Sequence, residues 1–227
     1  MNKALLDAFY EMIPETKKVM FDRIAQDRTR HLTVVLENIY QEHNASAVMR
    51  SCESFGIQEL HVIESKNEYK VQRDIARGAG RWLEMYTYTE GDSPLIDCIN
   101  GLKERGFRIA ALTPDADSYS IFDVPLDKPT ALVFGTEWEG ISDTVREMAD
   151  VTVRIPMVGF TESFNVSVSA ALTLQALRHR LELSDLDWKL SEEDQVAVKT
   201  DWSERIMNRG DFVRKELEKR LAGGAAE

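Results

Sequence analysis

The chain has 227 residues, enough for one sizeable domain with appendages or for two small domains. Its 39 acidic and 28 basic residues give a net charge of −11, which argues against nonspecific nucleic-acid binding through overall charge. No apolar run approaches the roughly 20 residues that cross a membrane, and the first residues lack a signal-peptide core. With only Cys52 and Cys98, we expect no structural disulfide, no zinc site and a cytoplasmic location.

The first predicted elements are two helices, over residues 3–12 and 14–28. Residues 17–31 concentrate basic side chains: Lys17, Lys18, Arg23, Arg28 and Arg30, against only Asp22 and Asp27. From charge alone, this stretch is best interpreted as the solvated face of a helix.

From residue 32 onward, predicted strands alternate with predicted helices. The strands cover 32–39, 59–64, 83–88, 108–113, 130–135 and 151–156, and the helices cover 45–55, 94–106, 142–150 and 163–183. This alternation predicts an α/β domain, with a mostly parallel sheet and helices on both faces. After a break at SDLDW, two charged amphipathic helices are predicted near the C-terminus.

The usual nucleotide-binding motifs are absent from the sequence. It has no GxxxxGK[ST] loop, no GxGxxG after the first strand and no GxSxG elbow. Four predicted strand ends are nevertheless polar, rich in glycine, or both: HNASAVMR, ALTPDA, FGTEWEG and IPMVGFTESFN. Ligands of such sheets bind beyond the carboxyl ends of the strands, so these segments are the candidate site.

Each candidate residue also has a purely structural interpretation. Asn44 is a good N-cap for the helix at 45–55, and Ser163 is a good N-cap for the helix that follows it. Arg50 has Glu37, Glu42 and Glu53 as possible ion-pair partners, and Glu137 is an ordinary acid for a loop. Taken singly, these residues are more easily explained by structure than by catalysis.

Taken together, three segments resemble the signature motifs of a known enzyme family. The segments are NASAVMRSCESFG, LVFGTEWEGIS and IPMVGFTESFNVSVSAALTL. In order, spacing and strand-to-loop context they are similar to the three motifs of the TrmH (SpoU) family of RNA ribose 2′-O-methyltransferases, in the SPOUT superfamily. The resemblance spans residues 32 to about 183.

The resemblance implies a SPOUT fold with a C-terminal trefoil knot, whose loops hold S-adenosylmethionine. It also implies a homodimer and a methyl-transfer reaction that requires no metal. The domains expected on this basis are a helical N-terminal extension (1–30), the methyltransferase domain (31–183) and a helical C-terminal extension (184–227).

The family motifs also imply roles for individual residues of this chain. Arg50 matches the catalytic arginine, Asn44 its supporting asparagine, Glu137 the second-motif glutamate, and Ser163 with Asn165 the polar pair of the third motif. The residues that match cofactor-binding positions are Leu112, Thr113, Gly135, Ile155, Met157 and Phe164.

Two roles remain open for Arg50. The family proposal makes it the group that helps the ribose hydroxyl lose its proton. Because arginine has a pKa above about 12 and resists deprotonation, pinning a phosphate and stabilising the developing alkoxide is an equally good role.

The domain layout resembles most closely the family members that methylate a tRNA D-loop guanosine, at position 18. On this interpretation the basic stretch contacts RNA, with Arg23, Arg28 and Arg30 as the candidates. The alternatives are the same reaction on ribosomal RNA or at another tRNA site, and a noncatalytic RNA-binding protein that retains the fold.

Overall fold

A computed structural model describes residues 2–64, 76, 78–89, 93–136 and 138–223. The described elements, in chain order, are α1 (Asn2–Met12), α2 (Glu15–Ala25), β1 (Leu32–Glu37), α3 (Glu42–Ser54), β2 (Glu59–Ile63), a short 3₁₀ turn (Ala79–Arg81), β3 (Glu84–Tyr88), α4 (Pro94–Glu104), β4 (Arg108–Leu112), β5 (Tyr119–Ser120), β6 (Thr130–Phe134), α5 (Asp143–Met148), β7 (Val151–Arg154), α6 (Val166–Glu182), α7 (Glu192–Arg205) and α8 (Gly210–Gly223).

The chain divides into two compact units. One unit is Thr29–Trp188, and the other combines Met1–Arg28 with Lys189–Glu227. Both chain ends therefore belong to the same unit, which the sequence did not indicate. The predicted three-part division at residues 30/31 and 183/184 stays a prediction.

The larger unit is built on one parallel sheet with strand order β3-β2-β1-β6-β4-β7-β5. Every strand pair in it is parallel, as between Val34 and Leu60 on one side of β1 and between Val34 and Leu132 on the other. The predicted α/β class with a mostly parallel sheet is confirmed. The two-residue strand β5 lies where only a polar loop was expected after β4.

Helices cover both faces of this sheet because alternate strand residues point to opposite sides. On one face, Val34 and Leu36 of β1 pack in a cluster with apolar residues of α3 and α6. On the other face, Val35 packs in a second cluster with residues of α4 and α5. The apolar runs of the central strands are thus explained by burial on both sides.

Two helices begin more than one residue away from their predicted starts. Helix α3 begins at Glu42 with Gln41 as its N-cap, so the prediction of Asn44 as the cap is wrong, and Asn44 lies inside the first turn. Helix α6 begins at Val166, and its N-cap is Asn165, whose side chain accepts a hydrogen bond from the Ser167 backbone N–H. Ser163 precedes this helix and does not cap it.

A buried carboxylate organises the amino ends of β2 and β3. The Glu59 carboxylate accepts hydrogen bonds from Arg105 at 2.8 Å and lies 3.0 Å from Nε of Arg30, which also contacts Glu84 at 2.6 Å. Burial favours the neutral form of Glu59, but contacts with His61 and Arg105 outweigh burial and lower its pKa. This side chain therefore stabilises the fold as an anion.

Replacing Glu59 with glutamine should lower the free energy of unfolding by about 1.5–3 kcal/mol at neutral pH, the usual range for hydrogen bonds to a charged group. Because the folded-state pKa is depressed, the carboxylate's contribution is present above its unfolded pKa of about 4.3 and is lost as the pH falls through the folded value. Urea unfolding of the wild type and E59Q at pH 7 and pH 4 measures the difference in their unfolding free energies. This difference should be smaller at pH 4 than at pH 7.

The matched control for this experiment is Glu104→Gln, an exposed acid at the end of α4. It should change the unfolding free energy by less than about 0.5 kcal/mol. A gap between E59Q and the wild type that is absent at pH 7, or that widens towards pH 4, would contradict the role assigned to Glu59.

The smaller unit is a helical assembly with its own core. Leu5, Ala8 and Phe9 of α1 pack against Leu217 of α8. The Lys199 ammonium of α7 donates a hydrogen bond to the Asp22 carboxylate of α2 at 2.7 Å. Across the residues that the structure describes, no helix has the length and apolarity needed to span a membrane.

Candidate active site

A cavity of about 330 Å³ opens at the carboxyl ends of β4, β6 and β7. The loops that follow these three strands form its walls, together with the first turn of α6. The lining includes all six residues at which the sequence predicted cofactor binding: Leu112, Thr113, Gly135, Ile155, Met157 and Phe164. The structure thus brings together residues from three separate segments, and their binding role stays a prediction.

The loop after β6 is shaped by two glycines. Thr136 and Gly140 pair through two backbone hydrogen bonds of 2.9 and 3.1 Å, and Gly140 has a φ of 69°, in the left-handed region that glycine adopts readily. A Cβ atom on Gly135 would lie 1.9 Å from the Gly140 carbonyl oxygen. Position 135 therefore requires glycine for the loop to close in this way.

An ion pair beside the cavity joins α5 to the loop that follows β4. Nη1 of Arg146, on α5, lies 2.5 Å from Oδ2 of Asp115, which follows β4. Hydrogen bonds from Arg146 and Thr113 lower the pKa of the Asp115 carboxyl. Both partners are about half exposed, so this pair orders the rim more than it stabilises the fold.

A hydrogen bond links the start of α3 to the start of α6. Nδ2 of Asn165 donates to Oδ1 of Asn44 at 3.1 Å, and Nδ2 of Asn44 donates to Oε1 of Gln41 at 3.1 Å. Asn44 is buried, and Oδ1 of Asn165 also accepts from the backbone N–H of Ser167 at 2.9 Å. The residues predicted from the first and third motifs are therefore in direct contact.

The remaining predicted catalytic residues differ in their placement. Ser163 lines the cavity. Arg50 is exposed on α3, and within the described ranges no ion pair links it to Glu37, Glu42 or Glu53. Oε2 of Glu37 instead accepts a hydrogen bond from the Ser142 backbone N–H at 3.0 Å.

Comparison with known proteins identifies the family. The model of the SpoU rRNA Methylase family matches residues 31–175. The chain belongs to this family.

Individual relatives match most of the chain. A tRNA (guanosine(18)-2′-O)-methyltransferase of Borreliella burgdorferi is 32% identical over 203 residues, 89% of this chain and 91% of that protein. The enzyme of the same name from Thermus thermophilus is 33% identical over 190 residues, covering 83% and 96%. The crystal structure of the TrmH/SpoU tRNA modifying enzyme of A. aeolicus superposes with a TM-score of 0.74 at 28% identity, covering 85% of this chain and all of that one.

The three arginines predicted to contact RNA are placed very differently in this SpoU chain. Arg23 is exposed on α2. Arg28 is 1% exposed, with its guanidinium carbon 5.5 Å from the centre of the Trp202 ring, and Arg30 is held by Glu59 and Glu84. Arg28 is therefore buried, Arg30 is ion-paired and 24% exposed, and Arg23 is the most exposed of the three; their contact with RNA stays a prediction.

One predicted residue of the SpoU site, Glu137, lies outside the described residues. The residue after it, Trp138, lines the cavity and is 93% exposed. Neither Trp138 nor the Arg146–Asp115 pair was predicted from the sequence. An indole in a glycine-bearing loop was an available signal for Trp138, whereas nothing in the spacing links residues 115 and 146.

Proposed function

We propose that this chain transfers a methyl group from S-adenosylmethionine to a ribose 2′-hydroxyl of tRNA, at guanosine 18 of the D-loop. The observation that carries the proposal is the cavity at the carboxyl ends of β4, β6 and β7, which the second and third motifs line. Support for the substrate comes from relatives named tRNA (guanosine(18)-2′-O)-methyltransferase that match 83–89% of the chain.

The cavity has the character that S-adenosylmethionine requires. Its volume falls within the usual range of small-molecule pockets, about 300–1,000 Å³. Leu112, Ile155 and Met157 offer apolar surface suited to an adenine ring, and Thr113 and Ser163 offer hydroxyl groups for polar parts of the molecule. When bound, the cofactor would supply a methyl group activated by a sulfonium.

Arg50 would act on the RNA side of the reaction. Its side chain is exposed on α3, and arginine as a residue type resists deprotonation. A charged planar fork binds a phosphate through two hydrogen bonds and stabilises negative charge that develops on the ribose oxygen. We therefore assign Arg50 the electrostatic and orienting role, in preference to that of a base.

Asn44 and Asn165 would hold the first and third motifs in register. Their hydrogen bond joins α3, which carries Arg50, to the segment that carries Ser163. Orientation of reacting groups supplies about 7–11 kcal/mol in favourable cases, so small displacements of either segment are costly. Asn44 thus acts through Asn165, and Glu137 keeps its predicted catalytic role within the proposal.

RNA contact would involve Arg23, the exposed member of the predicted arginine set. We also propose a homodimer, because α6 exposes Val168 and Leu172, one helical turn apart, at 43% and 40%. The trefoil knot, the extension boundaries at 1–30 and 184–227, and a cytoplasmic location belong to the same proposal.

The experiment that tests this function measures methyl transfer from labelled S-adenosylmethionine to two tRNA transcripts. One transcript is unmodified, and the other carries 2′-deoxyguanosine at position 18. Label should enter the first and not the second, because the second lacks the acceptor hydroxyl. Equal labelling of both would move the target elsewhere in the tRNA, and labelling of ribosomal RNA alone would change the substrate class.

A further inference from the structure

Two of the loops that form the cavity carry exposed aromatic side chains. Trp138, on the loop after β6, is 93% exposed, and Phe160, on the loop after β7, is fully exposed at 108%. Trp138 lines the cavity itself, and Phe160 lies between the lining residues Met157 and Glu162. Two large aromatic side chains thus stand in solvent on the loops that form the proposed methyl-transfer site.

The charges around this aromatic surface favour an uncharged group as its partner. The charged side chains that line the cavity in the described part of the chain are Asp115, Glu139, Glu162 and Arg146. Arg146 is paired with Asp115, which leaves the carboxylates in excess. A phosphate would be repelled here, whereas the face of a nucleobase carries no charge and stacks on an aromatic ring.

A single-stranded RNA loop supplies such bases. Loop nucleotides are unstacked and can be splayed out onto aromatic side chains, which is how most sequence-specific RNA recognition works. A ribose hydroxyl that reaches into the cavity brings its own base and the neighbouring bases to the entrance.

We infer that Trp138 and Phe160 form a stacking platform for the bases of the RNA loop whose ribose is methylated. The inference rests on the proposed function, and it makes both side chains positioning residues for the RNA. Exposed cations such as Arg50 would contact the phosphates of the RNA, and Trp138 and Phe160 would contact its bases. This division explains how an acidic cavity admits an anionic substrate.

Steady-state kinetics of W138A and F160A with unmodified tRNA transcript test the platform. Each variant should raise KM for tRNA about 10-fold, within the range measured when a stacking aromatic is truncated, and should change kcat by less than about threefold. F160A, whose side chain does not line the cavity, should also leave S-adenosylmethionine affinity within about threefold of the wild type. W138F should stay within about threefold of the wild type, because a phenyl ring still stacks. The matched control is Phe122→Ala, which removes a 61%-exposed aromatic away from the cavity lining.

Tryptophan emission gives a second, independent readout. Trp188 and Trp202 are buried at 7% and 2% exposure and Trp82 is half-buried, so Trp138 is the indole that a base can reach directly. Titration with tRNA in the absence of methyl donor should quench the wild-type emission, and W138F should lose most of that quench while still binding RNA.

The outcomes separate this inference from the proposed function. A wild type that methylates tRNA, with W138A and F160A both within twofold of it in KM, would overturn the platform and leave the function intact. If the higher KM of W138A is accompanied by a changed oligomeric state, measured by light scattering, the aromatic surface binds a second copy of the chain and not RNA bases. If the wild type methylates no RNA, the proposed function fails, and the quench alone decides whether bases stack on Trp138.

Discussion

Replacing Arg50 with alanine should lower kcat for methyl transfer about 100- to 1,000-fold, the loss typical of removing one preorganised charge-stabilising donor. The affinity for S-adenosylmethionine should stay within about twofold, because Arg50 is exposed on α3 and does not line the cavity. Single-turnover transfer to tRNA, with equilibrium binding of labelled cofactor, measures the two quantities separately.

The lysine variant sharpens this test. R50K retains the positive charge but lacks the planar fork, so its rate should remain closer to that of R50A than to that of the wild type. Arg220→Ala, an exposed arginine on α8, is the matched control and should leave kcat unchanged. Loss of cofactor binding in R50A, or normal transfer in it, would mean that the reactive arginine is a different residue.

Replacing Gly135 with alanine should strongly weaken cofactor binding. The added Cβ would lie 1.9 Å from the Gly140 carbonyl oxygen and 2.3 Å from the Ile141 nitrogen, so the backbone of the loop after β6 must move. Because Gly135, Gly140 and Ile141 all line the cavity, its shape cannot survive that movement. We expect the dissociation constant for S-adenosylmethionine to rise at least about 100-fold, with an unfolding penalty of about 1–3 kcal/mol from overpacking.

A second glycine provides the control for this substitution. Gly101 lies inside α4, and a Cβ there would meet no atom within 4 Å. Gly101→Ala should therefore stabilise the chain by about 0.5–1 kcal/mol and leave cofactor affinity unchanged. Isothermal titration together with urea unfolding distinguishes the two variants. Normal cofactor binding in a folded G135A would show that the cavity does not hold the cofactor.

The strands of the sheet could be predicted well because their signal is local. Runs such as LTVVLE and TALVF are mostly apolar and rich in β-branched residues, as expected of strands buried on both faces. The short strand β5 was missed because Tyr119 and Ser120 have no such pattern and are ordered by pairing with β7.

The helix starts were harder to predict because several residues nearby can cap a helix. Asn44 and Asn165 are both good N-cap types, yet only Asn165 caps, and Asn44 is buried in the first turn of its helix, where it pairs with Asn165. Local propensity does not show which amide a distant segment will reach. Both residues were assigned to the candidate site, but neither their contact nor the capping role of Asn165 was predicted.

Long-range contacts determine which basic residues of 17–31 are exposed. Arg30 is held by Glu59 and Glu84, and Arg28 packs over Trp202, so none of these three partners could be found from neighbouring sequence. The cavity was more predictable, because the carboxyl ends of parallel strands converge on one edge of a sheet. The segments ALTPDA, FGTEWEG and IPMVGFTESFN meet there as expected.

Nucleoside mapping of an unmodified tRNA transcript, after incubation with the purified chain and S-adenosylmethionine, tests the proposed function most directly. We predict a single new ribose-methylated guanosine, at position 18 of the D-loop. A methyl group on a base, a ribose methyl at another position, or no modification of tRNA would contradict the proposed function.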